Sequence, residues 1–265
     1  MKNINIEPES IYKSPYLNVP KKIVGAIKKA CIDYSMIEEG DRIAIGISGG
    51  KDSMLLLSAL KIYQLFSSSK FEIFAIIIDN GFENTDFTGL YKHLENIRVE
   101  YTVIKTRIAD ELFYKKKVKY PCSLCSRLRK GILVKNALAN GCGKIALGHH
   151  LDDGIATLFL NMFYEGRINS FEPKSYLSEK GVYLIRPMIY LTEQQIIAAV
   201  KTMNLPVFKN KCPVSGKTKR EYVNKLIGTL SADIQNFRDS MLSALQNKEQ
   251  LLIWGKKSDC NLNTD

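Results

Sequence analysis

RIAIGISGGKDSMLLL, residues 42–57, is the stretch on which the fold turns. Arg42 to Ile47 is short, apolar and β-branched, which reads as a buried strand. The glycine pair Gly49-Gly50 follows at once, and the apolar residues after Ser53 continue as a helix. A strand that passes straight into a helix through glycines is the opening unit of an α/β sheet. The same alternation recurs outward from it. FEIFAIIID (71–79) and EYTVIKT (100–106) read as strands with a helical stretch between them. KIALGHH (144–150) reads as strand into loop and DDGIATLFLNMFY (152–164) as a helix. Upstream, Ile23, Ile27, Cys31 and Tyr34 recur at helical spacing within 20–38. Downstream, a strand is expected around Tyr183 to Arg186. Thr192 then caps a helix running to about Asn204, Pro206 stops it, and two helical stretches (218–230 and 232–247) close the chain. The fold class is α/β, a doubly wound parallel sheet with flanking amino- and carboxy-terminal helices. The expected organisation is a helical extension over 1–40, the sheet domain over 41–215 and a helical region over 216–265.

Bulk composition narrows the function classes. With 265 residues, 45% of them hydrophobic and 25% charged, the chain is long enough to bury a core and is neither disordered nor collagen-like. The amino-terminal MKNINIEPESIYKSPYLNVP lacks the apolar centre of a secretory signal, and no apolar run is long enough to cross a bilayer. A cytoplasmic location and no membrane partner are expected. Lys plus Arg number 38 against 27 Asp plus Glu, a formal charge of +11 that suits a polyanionic partner such as nucleic acid. Six cysteines in a reducing compartment favour metal or catalytic uses over disulfides. Cys31, Cys142 and Cys260 stand alone, whereas Cys122 and Cys125 form a Cys-x-x-Cys pair.

A glycine pair between strand and helix lets the backbone approach an anion, with amides and the positive end of the helix dipole directed at it. Ser48, Gly49, Gly50, Lys51, Asp52 and Ser53 therefore form a candidate phosphate cradle, with hydroxyl and ammonium donors. It is not the common P-loop, because Ile45 stands where a glycine is needed and Asp52 follows the lysine. Nor is it the dinucleotide fingerprint, since Gly46 and Gly49 have the wrong spacing. Ser-Gly-Gly-Lys-Asp-Ser resembles instead the loop of the pyrophosphatase-loop (PP-loop) ATPases, whose fold is that of the adenine nucleotide alpha hydrolases. That resemblance implies ATP as co-substrate, cleaved between its α and β phosphates, with AMP passed to a carbonyl oxygen. Asp52 could then hold a Mg²⁺ that screens the departing pyrophosphate.

Gly148-His149-His150-Leu151-Asp152-Asp153 lies at the carboxyl end of a later strand, where ligands of open parallel sheets bind. It is similar to the Gly-His-His-x-Asp-Asp pattern of PP-loop enzymes that modify tRNA. Many of those relatives carry a glutamate shortly afterwards, where this chain has Ala156 and Thr157. Asp152 and Asp153 also suit helix capping, and His149 also suits a hydrogen-bonded core position. The candidate catalytic residues are Asp52, His149, Asp152 and Asp153, with Gly148 added to the ATP-binding set.

Cys122 and Cys125 sit at the expected start of a helix, where the dipole and Arg127, Arg129 and Lys130 favour thiolates. Their spacing fits a metal, a cluster or a redox pair. A structural zinc needs four ligands, and the three histidines are His93, His149 and His150. Cys142 would lie roughly 20 Å away along the helix. Cys212, held extended by Pro213, is the better third ligand. Three thiolates around a four-iron cluster leave one iron open to an exogenous sulfur.

The run CSLCSRLRKG (122–131), together with the Ser48 loop, Gly-His-His-Leu-Asp-Asp and LFLNMF (158–163), resembles the tRNA 2-thiocytidine-forming sulfurtransferases from about Ile23 to Leu230. Many of those carry a second Cys-x-x-Cys near the carboxyl end; this chain offers Cys212 alone, without a spare thiol to carry a persulfide. The resemblance implies a [4Fe-4S] cluster on Cys122, Cys125 and Cys212, and adenylation of the C2 oxygen of a tRNA cytidine, position 32 in the family, followed by its replacement with sulfur. It implies tRNA as partner, bound by Lys116, Lys117, Lys119, Arg127, Arg129 and Lys130, with Lys115 a further candidate. A cysteine desulfurase or other donor would supply the sulfur, and a homodimer is left open. The rival readings are a tRNA uridine thiolase on the same fold and a zinc-stabilised RNA-binding module.

Overall fold

A computed structural model describes residues 18–82, 86–115, 121–208, 212, 218–247 and 249. Among the described residues six strands form one sheet: β1 (Asp41–Ile47), β2 (Phe71–Asp79), β3 (Glu100–Lys105), β4 (Lys144–Ala146), β5 (Lys174–Leu177) and β6 (Val182–Ile185), in the order β3-β2-β1-β4-β6-β5. All neighbours are parallel except the β5–β6 hairpin at one edge. That edge strand was not expected. Its sequence KSYL is short and half polar, so it carries no buried-strand signal of its own.

Alternate residues of the central strands feed two apolar layers. Ile43, Ile45 and Ile47 of β1, with Ile73, Ala75 and Ile77 of β2, face α1 (Lys21–Asp33), α2 (Lys51–Phe66) and α6 (Glu193–Thr202). Ala44, Phe74, Ile76 and Ile78 face α4 (Pro121–Ala139) through Leu133, Val134 and Ala137. Gly46 permits that second contact, since a Cβ there would lie 2.9 Å from Leu133 Cδ2. Helix α2 is enclosed by sheet and helices together: Leu55, Leu56, Leu57 and Leu60 are all fully buried, each stabilising by about 1.5–3 kcal/mol at most. Ile23, Val24, Ile27 and Ala30 of α1 belong to the same core, so the stretch expected as an extension is built into the main layer.

Helix α3 (Thr88–Asn96) covers the β2–β3 side through Leu90 and Leu94. At the other side, α5 (Leu151–Leu160) packs with α7 (Lys219–Asp233) and α8 (Phe237–Gln246) around Leu151, Ile155, Val223, Ile227 and Phe237, a small core of its own. Thr192 caps α6 and Thr218 caps α7, each bonded to the backbone three residues on. The chain turns from β1 to β2 on one side and returns to β4 on the other. A crevice therefore opens beyond the carboxyl ends of β1 and β4, the switch point at which open α/β sheets bind ligands. Among the described residues no helix is long and apolar enough to cross a membrane.

Candidate active site

The glycine turn leaves β1 at Ser48 and enters α2 at Lys51. Gly49 has φ +76°, a region open to glycine and strained for other residues. Gly50 is the extended N-cap of α2 and brings no side-chain cap, so the first-turn amides of the helix are left for another acceptor. The two hydroxyls expected to face a phosphate instead tie the turn together. Ser53 Oγ donates to Gly50 O at 3.0 Å, the amides of Ser48 and Gly50 donate to Ser53 Oγ and Ser48 Oγ, and the two Oγ atoms lie 3.2 Å apart. The anion-facing donors that remain are backbone amides and Lys51.

Lys51 Nζ lies 3.1 Å from both Asp52 Oδ1 and Glu193 Oε1. Burial opposes its charge, but the two carboxylates outweigh burial and hold its pKa above the ordinary value. Asp52 Oδ1 is buried, with the Lys51 ammonium as its close partner. A carboxylate oxygen beside a phosphate cradle is the kind of donor a hard cation seeks.

The second loop is pressed against the first. A Cβ on Gly148 would lie 3.2 Å from both Asp52 C and Asp52 Cβ, so glycine lets the two loops meet without either giving way. Beyond it, His150 Nε2 stands 3.9 Å from Asp52 Oδ1 and 3.4 Å from Asp153 Oδ2. Burial, aided by Arg186, Arg220 and His150 and opposed by Asp153, pushes the His149 pKa down to about 4, so its imidazole is neutral at physiological pH. Its ring lies 5.1 Å from that of Phe171.

The paired aspartates are both committed within the fold. Asp152 is nearly buried; its Oδ1 accepts from Arg238 Nε and its Oδ2 from the Glu193 amide, both at 2.7 Å. It thereby joins α5, α6 and α8. Asp153 accepts the His150 amide at 3.2 Å, capping α5, and accepts Arg220 Nη1 at 3.1 Å. Glu193, Arg220 and Arg238 belong to the site and were not read from the sequence. Their only signal was position near the start of a helix or in a carboxy-terminal helix, which surface residues share.

Cys122 is exposed and Cys125 half-buried in the first turns of α4, and Cys212 is half-buried. The three thiols are close enough for Cys212 and Cys122 to act electrostatically on Cys125. Burial raises the Cys125 pKa, with Arg129 opposing and the two other thiols adding to it. At Cys125, with no metal bound, desolvation outweighs the nearby cation that was expected to favour the thiolate. Among the described residues no three His, Cys, Asp or Glu side chains converge closely enough for a single ion. A cluster spaces its ligands more widely, since each sulfur sits on a different iron, so three neighbouring but unconverged thiols fit the polynuclear group.

Cys212 is tied to the glycine turn by a feature that sequence reasoning missed. The Phe208 amide donates to Gly49 O at 2.8 Å, and Phe208 Cβ would lie 3.2 Å from a Cβ on Gly49. Four residues of chain reach at most roughly 14 Å, so the third cysteine is confined near the turn. Arg127 and Lys130 are exposed beside the cysteines, while Arg129 is half-buried with an unpartnered Nε. Lys115 is paired with Asp110 at 2.9 Å and Glu111 at 3.2 Å, which offsets its charge. Lys116, Lys117 and Lys119 lie outside the described residues. A separate cavity of about 520 Å³ lies at the amino ends of the strands, lined by Lys28, Cys31, Glu38 and Tyr63 among others, and contains none of these groups.

Comparison with known proteins matches residues 17–229 to the ATP_bind_3 family, described as a PP-loop domain. A tRNA-cytidine(32) 2-sulfurtransferase of Coxiella burnetii is 39% identical over 233 residues, covering 86% of this chain and 90% of the relative. One from Geobacter metallireducens is 35% identical over 230 residues, with the same coverage of each chain. Among solved structures, the U34-tRNA thiolase NcsA from Methanococcus maripaludis, with its [4Fe-4S] cluster, superposes with a TM-score of 0.70 at 23% identity, over 85% of this chain and 77% of that one. This last likeness concerns the fold.

Proposed function

The chain belongs to the PP-loop family and, within it, to the tRNA-cytidine 2-sulfurtransferases, and from that premise we propose that it replaces the C2 oxygen of a tRNA cytidine with sulfur at the expense of ATP. The single observation that carries this reading is the Phe208 to Gly49 hydrogen bond. It anchors Phe208, four residues before the third cysteine, on the turn that would grip ATP, which supports activation and sulfur delivery at the same base.

In this reading the amides at the start of α2 and the Lys51 ammonium hold the phosphates. Lys51 exchanges its contacts with Asp52 and Glu193 for the more highly charged ligand. Asp52 would hold a Mg²⁺, which when bound would screen the charge of the departing pyrophosphate. The C2 oxygen attacks the α-phosphorus, the bond between the α and β phosphates breaks, and pyrophosphate leaves. A sulfur nucleophile then adds at C2, and AMP departs with the former base oxygen. Activation is needed because a pyrimidine carbonyl oxygen is a poor leaving group and AMP a good one.

Asp152 and Asp153 act as positioning residues here, holding α5 and the neutral His149 at the crevice. In this reading His149 hydrogen-bonds the base or the adenylate without adding charge. Cys122, Cys125 and Cys212 would hold a four-iron cluster. When bound, such a cluster supplies one iron with a free coordination position for sulfur. Arg127 and Lys130 contribute to holding the tRNA backbone beside it.

Mass spectrometry of tRNA nucleosides from cells with and without the gene tests the proposal. Loss of 2-thiocytidine, restored by the wild-type gene, is the expected result. Loss of a thiolated uridine would move the reading to the uridine thiolases, and an unchanged nucleoside profile would remove it.

A further inference from the structure

The segment that ends α5 is built unlike the rest of the molecule. After Leu160 the chain widens into a π-helical turn, Asn161–Glu165, in which no residue is buried. Met162, Phe163 and Tyr164 are 42%, 51% and 44% exposed, and Ile168 in the following loop is 53% exposed. Contiguous apolar side chains left in water mark an interaction surface. This one is also braced. The Phe163 ring lies 5.5 Å from that of Phe159, which is packed in the core of α5, α7 and α8. Asn161 Nδ2 is bonded to Asn169 O and Oδ1 at 2.9 and 2.8 Å, and Ser170 Oγ to Gly154 O at 2.8 Å, which fixes the loop behind the ridge.

The charges around the ridge say what it fits. Lys219 Nζ stands 4.0 Å from the centroid of the Tyr164 ring. Lys219 and Arg167 are exposed, against a single exposed acid in the π turn, Glu165. A second copy of the chain docking here by two-fold symmetry would bring these cations face to face. Aromatic faces interleaved with cations are instead the composition that binds unpaired nucleotides, by stacking on the bases and attraction to the phosphates. The ridge also lies within a few nucleotides of the crevice. Asp153 and Phe163 are ten positions apart along α5 and its extension, roughly 15 Å at the helical rise, or about four stacked nucleotides. A cytidine that offers its C2 oxygen for attack must itself be unpaired, because that oxygen is used in Watson–Crick pairing, so unpaired neighbours accompany it.

We propose, resting on the function given above, that Phe163 and Tyr164, with Lys219 and Arg167, form a stacking platform for the unpaired tRNA nucleotides beside the target base. The test is titration of tRNA transcript against the full chain at one fixed salt concentration, followed by fluorescence anisotropy. Phe163→Ala is expected to weaken binding about tenfold, within the range for loss of one base stack. Phe163→Trp should restore affinity to within about twofold, whereas Phe163→Leu, apolar but without a π face, should behave like the alanine variant. Tyr176→Ala, at an exposed tyrosine on the edge strand, is the control and should leave affinity unchanged. Unchanged affinity in Phe163→Ala, or rescue by Leu equal to rescue by Trp, would overturn the platform. So would a dimer that Phe163→Ala splits into monomers with tRNA affinity intact, which would assign the ridge to a second copy. Wild-type protein that binds no tRNA at all removes the proposed function itself, and the platform with it; equal binding by wild type and variants removes the platform alone.

Discussion

The glycine turn at 48–53 and the cysteine group at 122, 125 and 212 stand at the same end of the sheet but are held in different ways. The turn is local: its hydrogen bonds close among Ser48, Gly50 and Ser53, and its anion-facing groups are mainly amides that no side-chain substitution removes. The cysteine group is assembled from two remote segments. Two of its members ride on the first turns of α4, and the third follows four residues after Phe208, whose amide donates to Gly49 O. A local device tolerates change around it. An assembled one depends on each of its tethers, and one described contact near the third cysteine, at Phe208, ends on the turn itself.

The largest effect should come from the carboxylate in the turn. Asp52→Ala is expected to lower tRNA-dependent pyrophosphate release by on the order of 10²–10³-fold while leaving tRNA affinity nearly unchanged, as measured by a coupled phosphate assay and anisotropy. Equal loss of both would mean that the turn binds RNA and not nucleotide. Gly49→Ala probes the dependence of one region on the other. An alanine at φ +76° with Phe208 Cβ at 3.2 Å should cost about 2 kcal/mol, a fall in Tm of about 4–8 °C, and should impair anaerobic reconstitution of the cluster. Reconstitution at the wild-type level would show that Cys212 has another anchor.

Acid should separate the site from the distant core. Burial pushes both His93 and His149 down to about 4 in the folded chain, below their ordinary value near 6.5. The unfolded chain therefore binds protons that the folded chain refuses. The stability held by the two neutral histidines is full above pH 6.5 and is lost as pH falls toward 4, by at most about 1.4 kcal/mol per pH unit for each. His149→Gln should remove about half of that slope in denaturant melts across this range; an unchanged slope would show that His149 takes up its proton without cost. The smallest effect is expected at Arg127. Arg127→Ala should weaken tRNA binding a few-fold and lower the salt slope by about one, and no change in slope would place that guanidinium away from phosphate.

These differences in construction decide what the sequence disclosed. The turn and the Gly148 loop were readable because each is a contiguous run whose glycines answer a local demand, namely positive φ at Gly49 and close approach at Gly148. The alternation of apolar strands and helices gave the doubly wound sheet for the same reason. What escaped was non-local or unremarkable in composition. Glu193 reads as an ordinary first-turn acid, Arg220 and Arg238 as solvated helix charges, and Phe208 as an apolar residue after a proline. Only the crossing of α5, α6, α7 and α8 brings them to Asp152, Asp153 and Gly49. Asp152 shows the cost of reading a motif alone: its pattern suggests chemistry, whereas both its oxygens are spent joining helices. The edge strand β5 escaped because four half-polar residues acquire their strand character from pairing with β6.

The division of labour between the two regions is tested most directly by Cys212→Ser in a single turnover, without oxygen, with ATP and tRNA. Pyrophosphate release within a few-fold of wild type, with no thiolated nucleoside in the digested tRNA, is the expected result. Loss of pyrophosphate release together with thiolation, or thiolation that survives without Cys212, would refute the separation of base activation from sulfur transfer.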